Sequence, residues 1–215
     1  MPGLYENSGL WGGSSGLWDG TVGLSGTVVP VVLTGFDASF NSANLVYDED
    51  DRLVFRTDAV QRRAVRGRTG HLTGKWYVEL LPLVVRFRFA GVVDSSFTVN
   101  GAGGPAGMNR VGVQGDELVY FGGSDVIGFA TPGTIVRIAW DGDADLLWTK
   151  LGGGNWNGSA GADPVTGVGG VSTAGLVGPA YVGATLRPVV NATVRYRIPG
   201  DLGYTLPTGF AEWAS

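Results

Sequence analysis

Several groups of residues in this sequence are of types that could do chemistry. "DGDAD" sets Asp141, Asp143 and Asp145 at alternate positions, and alternate carboxylates could open a calcium loop. Such a loop needs Gly at its sixth position and a bidentate Glu at its twelfth, where this chain has Leu146 and Gly152. "DGDAD" is therefore read as a hairpin turn; it would hold a divalent ion only with help from a backbone carbonyl and Asp163. The sole histidine, His71, lies just before a strand-like run. Catalysis through it would require a nucleophile and an orienting carboxylate gathered around it. No Gly-x-Ser-x-Gly is present, so His71 reads as a strand-end residue. Glycoside hydrolysis would need two acids roughly 5 to 9 Å apart in a cleft, but Glu49, Glu79, Glu117 and Glu212 are scattered and no Glu-x-Asp-x-Glu strand occurs. The expectation is a protein without catalytic residues, metal or cofactor.

Binding chemistry is better represented. Trp156 sits between Asn155 and Asn157 in the longest loop, residues 151–178. An aromatic face beside amide groups can stack on a sugar and hydrogen-bond it; alternatively the ring folds back to pin its own loop. Asn155, Trp156, Asn157 and Asp163 are the candidate ligand residues. Arg62, Arg63, Arg66 and Arg68 form a basic group that could hold phosphates or acidic sugars, or else make a solvated strand face or pair with the acidic turn Asp48–Asp51. "GAGGPAG", residues 101–107, lacks the Lys-Ser/Thr ending and following helix of a phosphate loop. Asn157 and Asn191 stand in glycosylation sequons that matter only on a eukaryotic secretory route.

A second set of aromatics lies in the leader. In "GLYENSGLWGGSSGLWDGTVGLSG" the Gly-Leu pairs begin at Gly3, Gly9, Gly16 and Gly23, and Tyr5, Trp11 and Trp18 complete the first three units. Interior glycines cost about 1 kcal/mol each in a helix, which excludes a heptad helix here. Tyr5, Trp11 and Trp18 read as anchors for pockets on another chain, the glycines letting the backbone lie close.

Composition bounds the rest. The chain has 215 residues, long enough for one sizeable all-β core. Gly contributes 38 residues, yet 44% of the chain is hydrophobic, so a packed interior is available. The net charge of -4 supplies no basic field for nonspecific nucleic-acid binding. Cysteine is absent, which removes disulfides, thiolate zinc sites and cysteine nucleophiles. "MPGLYENS" has neither a basic region nor an apolar core of a signal peptide, and no window approaches roughly 18 apolar residues. A soluble protein without membrane insertion is expected.

The elements that must position these residues are short strands. "NLVYDEDDRLVFR" reads as two strands around an acidic turn, and "TGKWYVELLP", "RVGVQ", "ELVYF", "DVIGFA", "TIVRIAW", "DLLWTK" and "NATVRYRI" follow. Period two is clear where Val85, Phe87 and Phe89 oppose Arg86 and Arg88, and where Val194, Tyr196 and Ile198 oppose Arg195 and Arg197. "TVVPVVLTG" suits an edge strand because of Pro30, and "DAVQRRAV", residues 58–65, could make one helical turn. Trp76, Trp140 and Trp148 lie in strands and read as core. Alternating strands without intervening helices imply antiparallel sheets packed face to face, a β-sandwich over residues 36–215 behind a leader of residues 1–35.

"TGKWYVEL" (73–80), "AGVVD" (90–94), "DVIGFA" (125–130) and "IVRIAWDGDADLLWTKLGGGNWNG" (135–158), in that order, resemble the SPRY domain. "GGNWNGSAGADPVTGVGGVST" with "VVNATVRYRIPGDLGYTLPTGFAEW" is similar to SPRY-like modules of tailed-bacteriophage and prophage virion proteins, which close with an aromatic, a Pro and a Gly-Phe, as Tyr204, Pro207, Gly209 and Phe210 do here. The resemblance spans residues 40–213. It departs from the family where "VRYRIPG" replaces Asn-Phe-Gly, and where the hairpin is drawn out into "LWTKLGGGNWNG". The resemblance implies a bent antiparallel sandwich of the concanavalin A-like jelly-roll kind. It further implies a non-enzymatic virion protein, assembled in the bacterial cytoplasm: an oligomeric tail-fibre, tail-tip or head-fibre component that contacts host-surface glycans and joins other virion proteins through its leader. The alternatives are a capsid decoration protein and, less favoured, a glycan-degrading enzyme.

Overall fold

Alternating side chains make a strand, but only the partner strand decides what stands beside them. The computed structural model describes residues 35–40, 44–48, 53–57, 63–84, 88–97, 110–114, 116–120, 123–128, 130–197 and 201–213. Fourteen strands run through these residues: β1 (Leu45–Asp48), β2 (Leu53–Arg56), β3 (Arg63–His71), β4 (Lys75–Pro82), β5 (Phe89–Val93), β6 (Arg110–Gln114) and β7 (Glu117–Tyr120), then β8 (Gly123–Val126), β9 (Val136–Asp141), β10 (Leu146–Leu151), β11 (Val171–Ser172), β12 (Ala180–Leu186), β13 (Thr193–Arg197) and β14 (Ala211–Glu212). The larger sheet has the order β1-β2-β13-β4-β9-β10-β11, with β14 added parallel to the start of β4; the smaller has the order β3-β12-β5-β6-β7-β8. Every other pairing is antiparallel. The expected antiparallel sandwich is the observed architecture.

The interior between the sheets follows the period of two. Val78 and Leu80 of β4, Val136, Ile138 and Trp140 of β9, and Val194 and Tyr196 of β13 enter it from one sheet. Val65, Ala90, Val92, Val111, Val113, Val182 and Ala184 enter from the other. Trp213 closes one end: its backbone amide donates to the Tyr77 carbonyl at 2.8 Å and its indole to the Thr69 carbonyl at 3.0 Å. His71 lies flat on Trp76, ring centroids 3.6 Å apart, with Nε2 2.8 Å from the Trp213 carbonyl oxygen. The strand-end histidine is thus part of the cluster that holds the C-terminal strand.

Each sheet also has a covered outer face. On the smaller sheet Phe89, Val93 and Phe97 pack with Phe40 and Tyr181. Across that sheet Gly183 pairs with Gly91, and Gly91 with Gly112. A methyl group on Gly91 would stand 2.2 Å from the Val111 carbonyl oxygen, and one on Gly112 2.4 Å from that of Ala90. These glycines let β5 and β6 approach more closely than any side chain would permit. On the larger sheet Tyr77, Ala139 and Trp148 form a second small core with Ala162 and Phe210.

The structure departs from sequence expectation in four places. Residues 63–65, expected within a helical turn, open β3, because Arg63, Ala64 and Val65 pair with Leu186, Thr185 and Ala184 of β12. β12 itself, "AYVGATL", is buried almost throughout and shows no polar alternation. The long loop is ordered: a 3-10 turn at Trp156–Gly158, a bridge between Asp163 and Val168, and β11. In "DVIGFA" the strand ends at Val126. The leader with Tyr5, Trp11 and Trp18, residues 85–87, Arg62, most of the acidic turn, Ile198 and "GAGGPAG" lie outside the described residues. No helix among the described residues is long and apolar enough to cross a membrane.

Candidate functional site

The outer face of the larger sheet carries a row of charge. Strand register places Arg197 of β13 opposite Glu79 of β4, Glu79 opposite Arg137 of β9, and Arg137 opposite Lys150 of β10. Each points away from the inter-sheet core because its strand neighbours point into it. The row therefore contains three cations and one carboxylate.

Glu79 is the fixed point. Its side chain is fully buried. Oε1 accepts the Tyr77 hydroxyl at 2.7 Å and the Tyr204 amide at 3.0 Å; Oε2 accepts the Gly203 amide at 2.7 Å and lies 3.4 Å from Arg197 Nε. Arg197 in turn donates from Nε to the Asp201 carbonyl at 2.6 Å. A buried carboxylate is tolerable only when its lone pairs are matched by donors in this way. The result is that segment 201–205 is clamped over the sheet. Tyr77, held between Glu79 and Arg137, has its hydroxyl pushed well above the ordinary phenol range, first by burial and then by the Glu79 carboxylate it bonds.

Arg137 and Lys150 have no carboxylate partner among the described residues. Arg137 donates from Nε to the Tyr77 oxygen at 2.9 Å and from Nη2 to the Thr205 carbonyl at 3.4 Å. Its guanidinium lies 4.3 Å from the Tyr204 ring centre and 5.1 Å from that of Trp156. Lys150 Nζ lies 5.5 Å from the same Trp156 ring. Partial burial, and then the neighbouring Arg137 charge, lower the Lys150 ammonium below its usual value.

Of the loop candidates, Trp156 sits against this row. Trp156 is half-buried, packed on the second small core and against both cations. Asn155 is exposed and makes no capping hydrogen bond. Asn157 adopts the left-handed conformation (φ 47°) and directs its amide into the protein: Oδ1 accepts the Thr149 amide at 2.7 Å, while Nδ2 donates to the carbonyls of Leu147 at 3.1 Å and Gly169 at 2.8 Å. Asp163 accepts the Val165 amide at 2.9 Å within a turn. Asn157 thus orients the loop, and Trp156 and Asn155 are what it presents.

The other candidates lie elsewhere. Asp141 accepts the amides of Asp143 and Ala144 and pairs with Lys75 at 2.9 Å, while Asp143 accepts the Gly74 amide at 3.2 Å, so "DGDAD" is a hairpin turn with its first two carboxylates engaged. No metal-binding group of three acids or histidines occurs among the described residues. Of the basic group, Arg63 is buried, and Arg66 pairs with Asp37 at 3.6 Å between the rings of Phe40 and Tyr181. Neither reading of that group as a solvated face or as a partner of the acidic turn describes Arg66.

The sequence alone did not place Arg137, Lys150, Arg197 or Tyr204 in a site: Arg197 entered only as the polar face of a strand, Tyr204 only as part of the closing motif, and Glu79 as one of several scattered glutamates. A signal was present: a charged residue in each of "WYVEL", "IVRIAW" and "LLWTK", out of phase with its apolar neighbours. The register that joins them is not written in any one segment.

No protein-family model matches this chain, and no curated protein matches it in sequence. Solved structures do match. The SPRY domain of human HERC1 superposes with a TM-score of 0.57 at 11% identity, over 80% of this chain and 100% of that one. The stonustoxin structure superposes with a TM-score of 0.52 at 13% identity, over 76% of this chain and 26% of that one. Likeness at such identity concerns the fold alone. The chain is a SPRY-like antiparallel β-sandwich.

Proposed function

We propose that this chain is a non-enzymatic structural protein of a tailed-phage or phage-like virion. In this reading the sandwich is displayed as a tail-fibre, tail-tip or head-fibre component and contacts host-surface glycans, while the Gly-aromatic leader docks it to other virion proteins. The virion context rests on the similarity of the loop and C-terminal motifs to phage SPRY-like modules. The observation that carries glycan contact is the Trp156 loop. An aromatic ring is held on an ordered turn by the hydrogen-bonded amide of Asn157, with exposed Asn155 at its side, and rigid aromatics beside polar groups suit sugar stacking.

The test is glycan-array binding by the full chain and by Trp156→Ala, each checked for an intact fold by near-ultraviolet circular dichroism. Binding that falls at least tenfold in the folded variant supports the reading. An array without signal, together with labelling over the capsid shell in electron micrographs, would replace it with capsid decoration. Turnover of a bound polysaccharide would overturn the non-enzymatic assignment.

A further inference from the structure

Arg137 and Lys150 stand directly opposite each other on adjacent strands. Like charges so placed repel; among the described residues neither forms an ion pair, and Arg137 reaches Glu79, its opposite on the next strand, only through the Tyr77 hydroxyl. Glu79, the one acid in the row, is saturated by Tyr77, Gly203, Tyr204 and Arg197. The two cations are instead bordered by the rings of Trp156 and Tyr204. Rings supply a partial counterweight to cationic charge, but they accept no strong hydrogen bond from an ammonium. Arg137 is buried, whereas Lys150, Trp156 and Tyr204 are each partly open to solvent.

We propose that this cluster is an anion subsite for the carboxylate of an acidic saccharide of the hexuronate type. The Lys150 ammonium receives the carboxylate, Arg137 fixes the local positive potential from beneath, and the Trp156 face takes the sugar ring. A flat sugar face and an attached carboxylate match a flat aromatic beside a cation. Lowering of the Lys150 ammonium by burial and by Arg137 agrees with a pair of charges short of a counterion. The proposal rests on the glycan-contact reading and narrows it from sugars in general to acidic ones.

Two variants test it in the full chain. In Lys150→Met the aliphatic stem is kept against Trp156 and the charge is lost. Calorimetric titration with tetragalacturonate should show affinity at least tenfold weaker than wild type, a loss of the size expected for one charge-assisted hydrogen bond. Wild-type binding should also weaken as salt is raised, and neutral galactotetraose should bind more weakly than the uronate. Lys150→Glu supplies an internal carboxylate opposite Arg137. It should abolish uronate binding and raise Tm, a readout independent of any glycan. Equal binding of acidic and neutral tetrasaccharides, unchanged in Lys150→Met, would overturn the anion subsite and leave glycan contact standing. A lower Tm in Lys150→Glu would overturn the premise of a cation pair short of counter-charge. Absence of binding to any saccharide would remove both readings together.

Discussion

Replacing Glu79 by Gln is a near-isosteric change that tests the clamp on segment 201–205. The carboxylate receives donors on both oxygens: the Tyr77 hydroxyl and Tyr204 amide on one, the Gly203 amide and Arg197 on the other. An amide in its place turns one of those acceptors into a donor, so in either orientation its NH2 faces a backbone N–H. One or two charge-assisted bonds are lost, each worth about 1.5 to 3 kcal/mol, and Arg197 is left partly buried beside a neutral group. The expected destabilisation is about 3 kcal/mol, or a fall in Tm of roughly 10 °C for a chain of this length. Urea unfolding followed by tryptophan fluorescence measures the first quantity and calorimetry the second. Hydrogen exchange adds the location: the Gly203 and Tyr204 amides should lose protection while β12 retains its own. A loss under about 1 kcal/mol, the ordinary cost of an unselected point substitution, or unchanged protection at those two amides, would refute the clamp.

Asn157→Ala removes the loop's anchoring amide and leaves a β-carbon in left-handed backbone, for an expected cost of about 2 kcal/mol; limited proteolysis should cut within residues 152–170 before any strand. Trp213→Ala opens a cavity between the sheets beside Trp140 and His71, and should cost about 3 to 5 kcal/mol in chemical denaturation. The His71 pKa is lowered in the fold, chiefly by burial and against the opposing pull of the Trp213 carbonyl. The unfolded chain then binds the proton first, so this group's contribution is complete above the ordinary histidine value of about 6.5 and is lost as pH falls through the lower folded value. Tm profiles across that acid range should accordingly be flatter for His71→Gln than for wild type.

Strands with polar alternation were legible because one of their faces meets a polar or charged environment. "TGKWYVEL", "TIVRIAW" and "NATVRYRI" announce themselves through Glu79, Arg137, Arg195 and Arg197, and the structure places all three at the centre of the larger sheet. β12 was not legible. It lies between β3 and β5, covered on both faces, and "AYVGATL" carries no run of charged residues from which to read a period. The site was half legible. Trp156 and its asparagines stood out by type, but the cations under the ring come from β9 and β10, whose register with β4 depends on pairing across the sheet rather than on local pattern. Asn157 illustrates a different limit: an asparagine suited to a sugar is equally suited to left-handed backbone and to capping neighbouring carbonyls, and only its surroundings choose.

The glycine row of the smaller sheet has a genetic consequence. Gly91 and Gly112 are distant in sequence, yet an ideal methyl carbon on either would lie 2.6 Å or less from the other's α-carbon, and Gly183 adjoins Gly91 on the next strand. Once one side chain has forced β5 and β6 apart, the space that excluded the second is already open. Substitutions at Gly91 and Gly112 should therefore show strong positive epistasis, the double replacement being milder than the sum of the singles. In a library of variants the pair would be inherited as one trait, and a lineage that lost one glycine would be released from keeping the other.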